Sequence, residues 1–158
     1  MSGLRVAVLR RLYRLAWLGL QLRSTFIPRR GRGVKCVLTN GGRVLLVRHT
    51  YGARAIWYIP GGGVRRRETP LRAAGREMRE ELGVGDLCWR ELATREMRLD
   101  RMTVRLTCLH AELADPERLR LDPVEIAEAR WFAQDELPLP HGEEVQPLLD
   151  LLAAEPER

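Results

Sequence analysis

The segment from Gly62 to Val84 constrains this chain most, because it joins a glycine-rich loop to a helix that carries closely spaced glutamates. Thr69 is a suitable N-cap, Pro70 suits the first helical position, and Gly83 is typical of a helix end. The remaining faces of this helix can carry charge, because the apolar residues share one side. The spacing predicts that this core-facing stripe consists of Leu71, Ala74, Gly75, Met78 and Leu82.

The charged residues of this helix are predicted to separate by sign. Glu77, Glu80 and Glu81 share one flank. The other flank is predicted to hold Arg72, Arg76 and Arg79. Carboxylates on adjacent turns repel each other and lower helix stability, and a divalent cation with oxygen ligands removes that repulsion. The spacing therefore indicates a site for a hard divalent cation.

The loop before the helix adds a second part of the same chemistry. The glycines at 61–63 allow a close approach of the backbone, and their carbonyl oxygens are suitable ligands for a hard cation. Arg65, Arg66 and Arg67 follow in the same loop. These arginines either bind the phosphates of a substrate or face solvent. Carboxylates beside arginines predict a metal-dependent phosphoryl or pyrophosphoryl site.

The segment also resembles the signature of the Nudix hydrolases. Every position that this signature specifies is filled, by Gly62, Glu68, Arg76, Glu77, Met78, Glu80, Glu81, Gly83 and Val84. Nine constraints at fixed spacing are far more specific than a lone glycine motif. The Pro60-Gly61-Gly62 lead-in and Trp131-Phe132, followed by Glu136-Leu137-Pro138, extend the resemblance over roughly residues 33–155. One departure is Arg67, where many members have glycine.

The resemblance implies a role for each matching residue. Glu77, Glu80, Glu81 and the Gly62 carbonyl would bind Mg²⁺ or Mn²⁺, with Glu80 and Glu81 also counted as catalytic. Glu68 and Arg76 would support the loop and the helix, with Arg76 holding the carboxylates in place. The family often uses a further glutamate from a late loop as ligand or base. Glu125 is the best-placed candidate for it, and Glu128 is the rival.

The implied reaction is attack of water on a pyrophosphate linked to a nucleoside, assisted by metal ions. Members of this family that cleave ADP-ribose tend to have a proline near the position of Leu99 and Asp100. Members that cleave dinucleoside polyphosphates tend to have a tyrosine a few positions after that proline. Neither residue is present, which favours a nucleoside triphosphate or another nucleoside diphosphate derivative, with a nucleoside monophosphate or phosphate released. The alternative is a non-catalytic nucleotide-binding or membrane-associated adaptor on the same fold.

The remaining elements predict an α/β or α+β fold, a mixed sheet between helices as in the α/β/α sandwich that the resemblance implies. The turn Asn40-Gly41-Gly42 lies between two apolar runs and predicts a hairpin. The predicted strands are Val34–Leu38, Arg43–His49, Leu87–Leu92, Met102–Leu113 and Ala129–Phe132, and a closing helix covers Glu143–Ala154. Three cysteines, far apart and without a CxxC pair, predict reduced thiols and a cytoplasmic protein.

The N-terminal region differs from the rest in charge. Residues 1–35 carry nine basic residues and no acidic one, so the remainder is net negative although the whole chain is +6. This distribution argues against a uniformly basic, sequence-specific nucleic-acid binder and predicts a locally basic arm. The Pro and Gly residues at 28–33 predict a hinge, which divides the chain into an arm at 1–32 and a domain at 33–158.

The arm itself is predicted to contain an amphipathic helix at residues 4–22. Its longest uncharged run, Leu15 to Leu22, is too short to span a bilayer. Three interpretations remain open: the helix packs on the domain, associates with a second copy, or lies on an anionic membrane surface.

Overall fold

The computed structural model describes residues 5–13, 15, 30–99 and 102–154. Residues 5–13 and 15 are helical, and we call them helix α1. The other helices are α2 (Pro70–Leu82) and α3 (Val145–Ala153), with a single 3-10 turn at Pro116–Arg118. The strands are β1 (Arg30–Asn40), β2 (Arg43–His49), β3 (Gly61–Gly63), β4 (Arg90–Leu99), β5 (Met102–Glu112) and β6 (Ile126–Ala133).

The strands form one mixed six-stranded sheet, as the sequence predicts. The order along the sheet is β4-β5-β1-β2-β6, and β3 pairs with β1. The β1–β5 pairing is parallel, and it runs from Arg30 opposite Thr103 to Thr39 opposite Glu112. All other strand pairs are antiparallel. The predicted hairpin is confirmed, since Gly41 and Gly42 turn the chain at φ 53° and 76°.

The glycine loop enters the sheet where β1 and β2 separate. The two strands pair at the turn, where Asn40 lies opposite Arg43. Further along, β3 takes the place of β2 beside β1, with Val34 opposite Gly62. The chain before β3 pairs instead with β2, through reciprocal hydrogen bonds between Val47 and Tyr58. The loop therefore begins from a fixed position within the sheet.

The two faces of the sheet form two separate cores, one under α2 and one under α3. Alternation along β2 shows this, because Leu45 and Val47 pack on the α2 side and Val44 and Leu46 on the opposite side. Leu148 and Leu149 of α3 join the second core. The predicted sandwich, with a sheet between helices, is confirmed.

The stripe predicted for α2 is correct at Ala74, Met78 and Leu82, which are buried, and wrong at Leu71, which is 51% exposed. A helical side chain leans toward the N-terminus, so at the first turn Leu71 extends past the end of the helix. The predicted caps are confirmed. The Thr69 side chain accepts a hydrogen bond from the Arg72 N–H, and Gly83 ends the helix at φ 72°.

Several element boundaries differ from the sequence prediction, including the end of β4 at Leu99, predicted at Leu92, and the start of β6 at Ile126, predicted at Ala129. β1 begins at Arg30, so residues 30–33, predicted as part of the hinge, pair with β5 and belong to the sheet. β4 begins at Arg90, later than the predicted Leu87. The helix predicted at 4–22 is helical at 5–13 and 15, and its other residues lie outside the described ones. Among the helices described, none has the length and apolar character needed to cross a membrane.

Candidate active site

Two glycines bring the loop backbone against neighbouring atoms where a side chain would not fit. Gly61 has φ 150°, and a Cβ there would lie 2.2 Å from the Val34 carbonyl oxygen. A Cβ on Gly62 would lie 2.4 Å from Oε1 of Glu77. The carboxylate of α2 therefore packs directly on the loop backbone, which explains why these positions are glycine.

The three glutamates of α2 lie at three different depths. The Glu80 side chain is 52% exposed, and that of Glu77 is 14% exposed. Glu81 is only 3% exposed and lies on the buried face beside Met78 and Leu82. The predicted flank of carboxylates thus extends from solvent into the interior of the protein.

Arg76 lies among these carboxylates, so the prediction that it shares the opposite flank with Arg72 and Arg79 is wrong. Its Nη1 is 2.8 Å from Oε1 of Glu77 and 3.1 Å from Oε2 of Glu80. Arg76 and Glu80 are an i,i+4 pair, about 40° apart on the helical wheel, so the predicted separation by sign was too strict. The flexible arginine side chain also reaches Glu77. Arg79 does face away, to Asp86.

The same arginine ties the helix to the loop through Glu68. Its Nε and Nη2 donate to the two carboxylate oxygens of Glu68 at 2.9 and 3.0 Å, and Nη2 also donates to the Gly63 carbonyl. The backbone N–H of Arg65 donates to Glu68 as well. These hydrogen bonds, first those from Arg76, lower the pKa of Glu68 to about 2. Glu68 is therefore charged at neutral pH and holds the loop on the helix.

Glu81 is in the opposite electrostatic situation. Burial, followed by the charges of Glu77 and Glu125, raises its pKa to about 8, against smaller opposing effects of Lys35 and a hydrogen bond from the Gly61 backbone. Its Oε2 is buried and has no hydrogen-bond partner among the described residues. An unsatisfied buried carboxylate oxygen is costly, so this atom is the strongest indication of a missing positive partner.

The structure distinguishes the two late-loop glutamates. The charge of Glu125 raises the pKa of both Glu77 and Glu81. Glu128 lies on β6 and forms ion pairs with Arg48 and Arg130. Of the two residues, Glu125 is therefore the one whose charge acts on the carboxylates of α2, whereas Glu128 is paired with arginines.

The three loop arginines are all exposed. Nη2 of Arg65 lies 3.3 Å from Oε1 of Glu80, whereas Arg66 and Arg67 extend into solvent. Arg67 has φ 65°, a left-handed conformation that glycine adopts at lower cost. This conformation explains why glycine is common at the position in proteins with the same loop.

Several neighbours of Glu125 were missed by sequence reasoning. The hydroxyl of Tyr13, on α1, donates to its Oε1 at 2.5 Å. His49 and Tyr51 stack beside it with ring centroids 5.0 Å apart. Burial lowers the pKa of His49 to about 4, so its imidazole is neutral at pH 7. No local pattern in the sequence indicates these contacts with Glu125, because each joins segments that are far apart along the chain.

The residues present suit a hard divalent cation. All candidate donors are oxygens, and a cation near Glu81 would satisfy its free Oε2 and relieve repulsion from Glu77. In this structure Arg76 pairs with Glu77 and Glu80, and within the described ranges no three His, Cys, Asp or Glu side chains form a ready metal-binding group. Cation binding would therefore require Glu77 and Glu80 to exchange contacts with Arg76.

Comparisons with known proteins agree with this geometry. The family model described as NUDIX domain matches residues 29–152. An RNA pyrophosphohydrolase from Halorhodospira halophila is 38% identical over an alignment of 111 residues, and the match covers 60% of this chain and 60% of that protein. The matched part of this chain thus spans less than two thirds of that relative's length.

Solved structures share the fold. A MutT NUDIX hydrolase from Burkholderia pseudomallei superimposes with a TM-score of 0.70 at 24% identity, covering 78% of this chain and 98% of that one. The NUDIX domain of Shewanella oneidensis NrtR, complexed with ADP ribose, gives 0.67 at 19% identity, covering 82% of this chain and 90% of that one.

Proposed function

This chain belongs to the NUDIX domain family, and we propose that it is a metal-dependent pyrophosphohydrolase whose substrate is a nucleoside diphosphate linked to a further group. Such substrates are nucleoside triphosphates or a nucleoside diphosphate bonded to another moiety. Water attacks one phosphorus of the anhydride, the bridging P–O bond breaks, and a nucleoside monophosphate or phosphate is released. The water proton leaves to a base or to solvent.

One observation carries the proposal: the buried carboxylate of Glu81 lies beside Glu77 and Glu125 with an oxygen that the described residues leave unsatisfied. A helix that serves only to pack does not gain from a buried acid in this position, because burial of a carboxyl group with an unsatisfied oxygen is costly. A site that binds a cation and a polyanion does gain from it. Perturbed acids in such a cluster are a common property of active sites.

We assign Mg²⁺ or Mn²⁺ binding to Glu77, Glu80, Glu81 and the Gly62 carbonyl. When bound, the cation supplies Lewis-acid polarisation of the phosphoryl oxygens. Arg76 and Glu68 keep the loop and the helix in register, because the guanidinium bonds both Glu68 and the Gly63 carbonyl. Glu125 serves as a further ligand or as the base that takes the water proton.

The loop arginines suit the substrate's charge. Arg65, Arg66 and Arg67 stand exposed at the loop that leads to the carboxylates, and guanidinium groups bind phosphate oxygens in bidentate fashion. The relative named as an RNA pyrophosphohydrolase and the neighbour bound to ADP ribose support a substrate with adjacent phosphates on a nucleoside.

A substrate panel with and without divalent cation tests the activity. It should contain nucleoside triphosphates, ADP-ribose, a UDP-sugar and an RNA oligonucleotide with a 5′-triphosphate, in Mg²⁺, in Mn²⁺ and in chelator. Hydrolysis in ¹⁸O water would locate the attacked phosphorus. We expect cation-dependent release of phosphate or nucleoside monophosphate from at least one substrate. Tight nucleotide binding without turnover under any condition would instead support a non-catalytic binding module.

A binding measurement separates the roles of the acids. Mn²⁺ titration followed by electron paramagnetic resonance should show weaker binding in Glu81→Gln than in wild type. Glu125→Gln distinguishes the two roles left for that residue. A ligand role lowers Mn²⁺ affinity, whereas a base role leaves the affinity unchanged and lowers kcat alone.

A further inference from the structure

Helix α1 leaves its apolar side chains in solvent. Val8 is 49% exposed, Leu12 55% and Leu15 65%, whereas the apolar residues of α2 at Ala74, Met78 and Leu82 are fully buried. Isolated exposed leucines are ordinary in proteins, but three on one face of one short helix form a continuous surface. We call this surface the α1 stripe, consisting of Val8, Leu12 and Leu15.

The α1 stripe points away from the domain. At about 100° per residue, its three members fall within about 60° of one another on the helix. The domain contacts of α1 come from the other side. Arg10 Nε donates to the Pro123 carbonyl at 2.7 Å, and Tyr13 donates to Glu125. These two residues lie roughly opposite the stripe on the same wheel. The helix therefore holds the domain through polar groups and presents its apolar side outward.

Basic residues flank the α1 stripe on both sides. Arg5 and Arg11 are exposed and fall on either edge of the stripe. The surrounding sequence has the same sign, since residues 1–35 contain nine basic and no acidic residues. An apolar band between cationic edges is complementary to a surface that is apolar inside and anionic outside.

We propose that α1 is a docking surface for an anionic lipid bilayer. The α1 stripe inserts at the level of the acyl chains near the headgroups, and Arg5 and Arg11 contact the anionic headgroups. The basic charge favours lipid over a second copy of this chain. Two α1 stripes packed together would bring the arginine edges of both copies close to each other, and no acidic residue in this region could pair with them.

The position of α1 makes this docking relevant to the candidate active site. Arg10 and Tyr13 attach the helix to residues 123 and 125, in the loop that carries the late acid. A protein held on a bilayer by the α1 stripe would therefore keep this loop near the membrane surface. Binding through one short helix is expected to be reversible and sensitive to salt.

The full chain should be tested by sedimentation with phosphatidylcholine vesicles, with and without phosphatidylglycerol. We expect binding to the anionic vesicles that weakens at high salt. Leu12→Glu should lower vesicle affinity by about tenfold or more, because it places a charge in the stripe. Arg11→Ala should lower it by about fivefold, the loss of one basic contact with the lipid surface. Leu71→Glu is the matched control, a leucine on α2 with nearly the same exposure of 51%, and should bind like wild type.

The outcomes of these experiments distinguish a lipid bilayer from a second copy of the chain as the partner of the α1 stripe. Equal vesicle binding by Leu12→Glu and wild type overturns the proposal, as does binding that ignores phosphatidylglycerol. A dimer in solution that Leu12→Glu dissociates, without vesicle binding by wild type, assigns the stripe to a second copy and also overturns it. Thermal melting controls for folding, and since Leu12 is exposed we expect its variants to melt like wild type. The vesicle assay does not depend on hydrolysis, so it stands apart from the proposed activity.

Discussion

Helices α1 and α2 are both amphipathic, and they face the same domain in opposite ways. α2 buries Met78 and Leu82 against the sheet and takes Glu81 into the interior with them. α1 exposes its leucines and contacts the domain through Arg10 and Tyr13. An apolar stripe therefore predicts that a helix forms, but not which side faces the protein. The difference lies in the anchoring contacts, since α2 is fixed by an N-cap, an αL glycine end and the loop-bound Arg76.

The two helices also differ in their charged residues, because α1 has basic residues only, whereas α2 has equal numbers of acidic and basic ones. The acids of α2 are held close together by burial and by Arg76, at a cost in repulsion that a cation would remove. The basic residues of α1 stay in solvent, where the cost of like charge is small. Acidic side chains that are clustered and buried thus indicate an active site. Basic side chains that are spread over an exposed helix indicate a surface that attracts anionic partners.

Removal of one buried acid should give the largest effect. We expect Glu81→Gln to lower kcat on the order of a thousandfold, because the cation loses a ligand and its Lewis-acid effect with it. Fold and melting temperature should be retained, since glutamine keeps the shape of glutamate and removes the repulsion from Glu77. Steady-state kinetics in Mg²⁺ measure this. Near wild-type turnover would contradict the assignment of Glu81 as a ligand.

Truncation of one apolar residue in each helix tests the comparison directly. Met78→Ala creates a cavity under α2 and should lower the free energy of unfolding by about 2–5 kcal/mol. Leu12→Ala removes an exposed side chain and should change it by less than about 0.5 kcal/mol. Urea unfolding curves measure both. A large loss for Leu12→Ala would show that α1 packs on the domain through its apolar side.

Stability against pH should report the buried acid of α2. The folded pKa of Glu81, about 8, lies above its ordinary 4.5, so over this range the folded protein keeps a proton that the unfolded chain has lost. Metal-free protein should therefore lose about 2 kcal/mol between pH 6.5 and 8.

The pH range is chosen to leave out most of the contribution of His49. Its folded pKa of about 4 lies below its ordinary 6.5, so His49 makes stability rise with pH, mostly below pH 6.5. Glu81→Gln should be flat from pH 6.5 to 8. Chemical unfolding in chelator at several pH values measures the slope, and an equal slope in both proteins would place the titrating group elsewhere.

Loss of the hydrogen bond between Tyr13 of α1 and Glu125 should have the smallest effect on activity. Tyr13→Phe removes the donor to Glu125 and should lower the free energy of unfolding by at most about 1 kcal/mol, because Tyr13 is 42% exposed. We expect kcat to change by less than about threefold. Leu12→Ala serves as the control on the same helix. A loss of turnover as large as that of Glu81→Gln would place Tyr13 within the catalytic machinery.

The sandwich was implied by the family resemblance, whereas local signals in the sequence predicted the hairpin at Gly41-Gly42 and both ends of α2. These features depend on neighbours in sequence: a positive φ at glycine, a threonine N-cap and a periodic stripe. The spacing also placed Glu77, Glu80 and Glu81 together on α2. What it could not predict was their depth, because a glutamate is expected at the surface and only the packing of α2 on the sheet buries Glu81.

Contacts between distant segments were beyond sequence reasoning. The hydrogen bond from Tyr13 to Glu125 joins residues 112 positions apart, and no local pattern indicates it. Within α2, the reach of Arg76 to Glu77 depends on a long side chain whose direction the wheel does not give. The extension of β1 to Arg30 depends on β5, which pairs with residues that read as a hinge.

The parallel pairing of β1 with β5 has a consequence for the order of folding. β1 can form its hairpin with β2 as soon as His49 is made, but its other edge stays open until the chain reaches Glu112. Pairing over such a distance carries a loop-closure cost and slows folding. During synthesis, the glycine loop and α2 therefore emerge before the strand that completes the sheet beneath them. The slow step of folding is expected to be the arrival of β5, with the acids of α2 still in water until then.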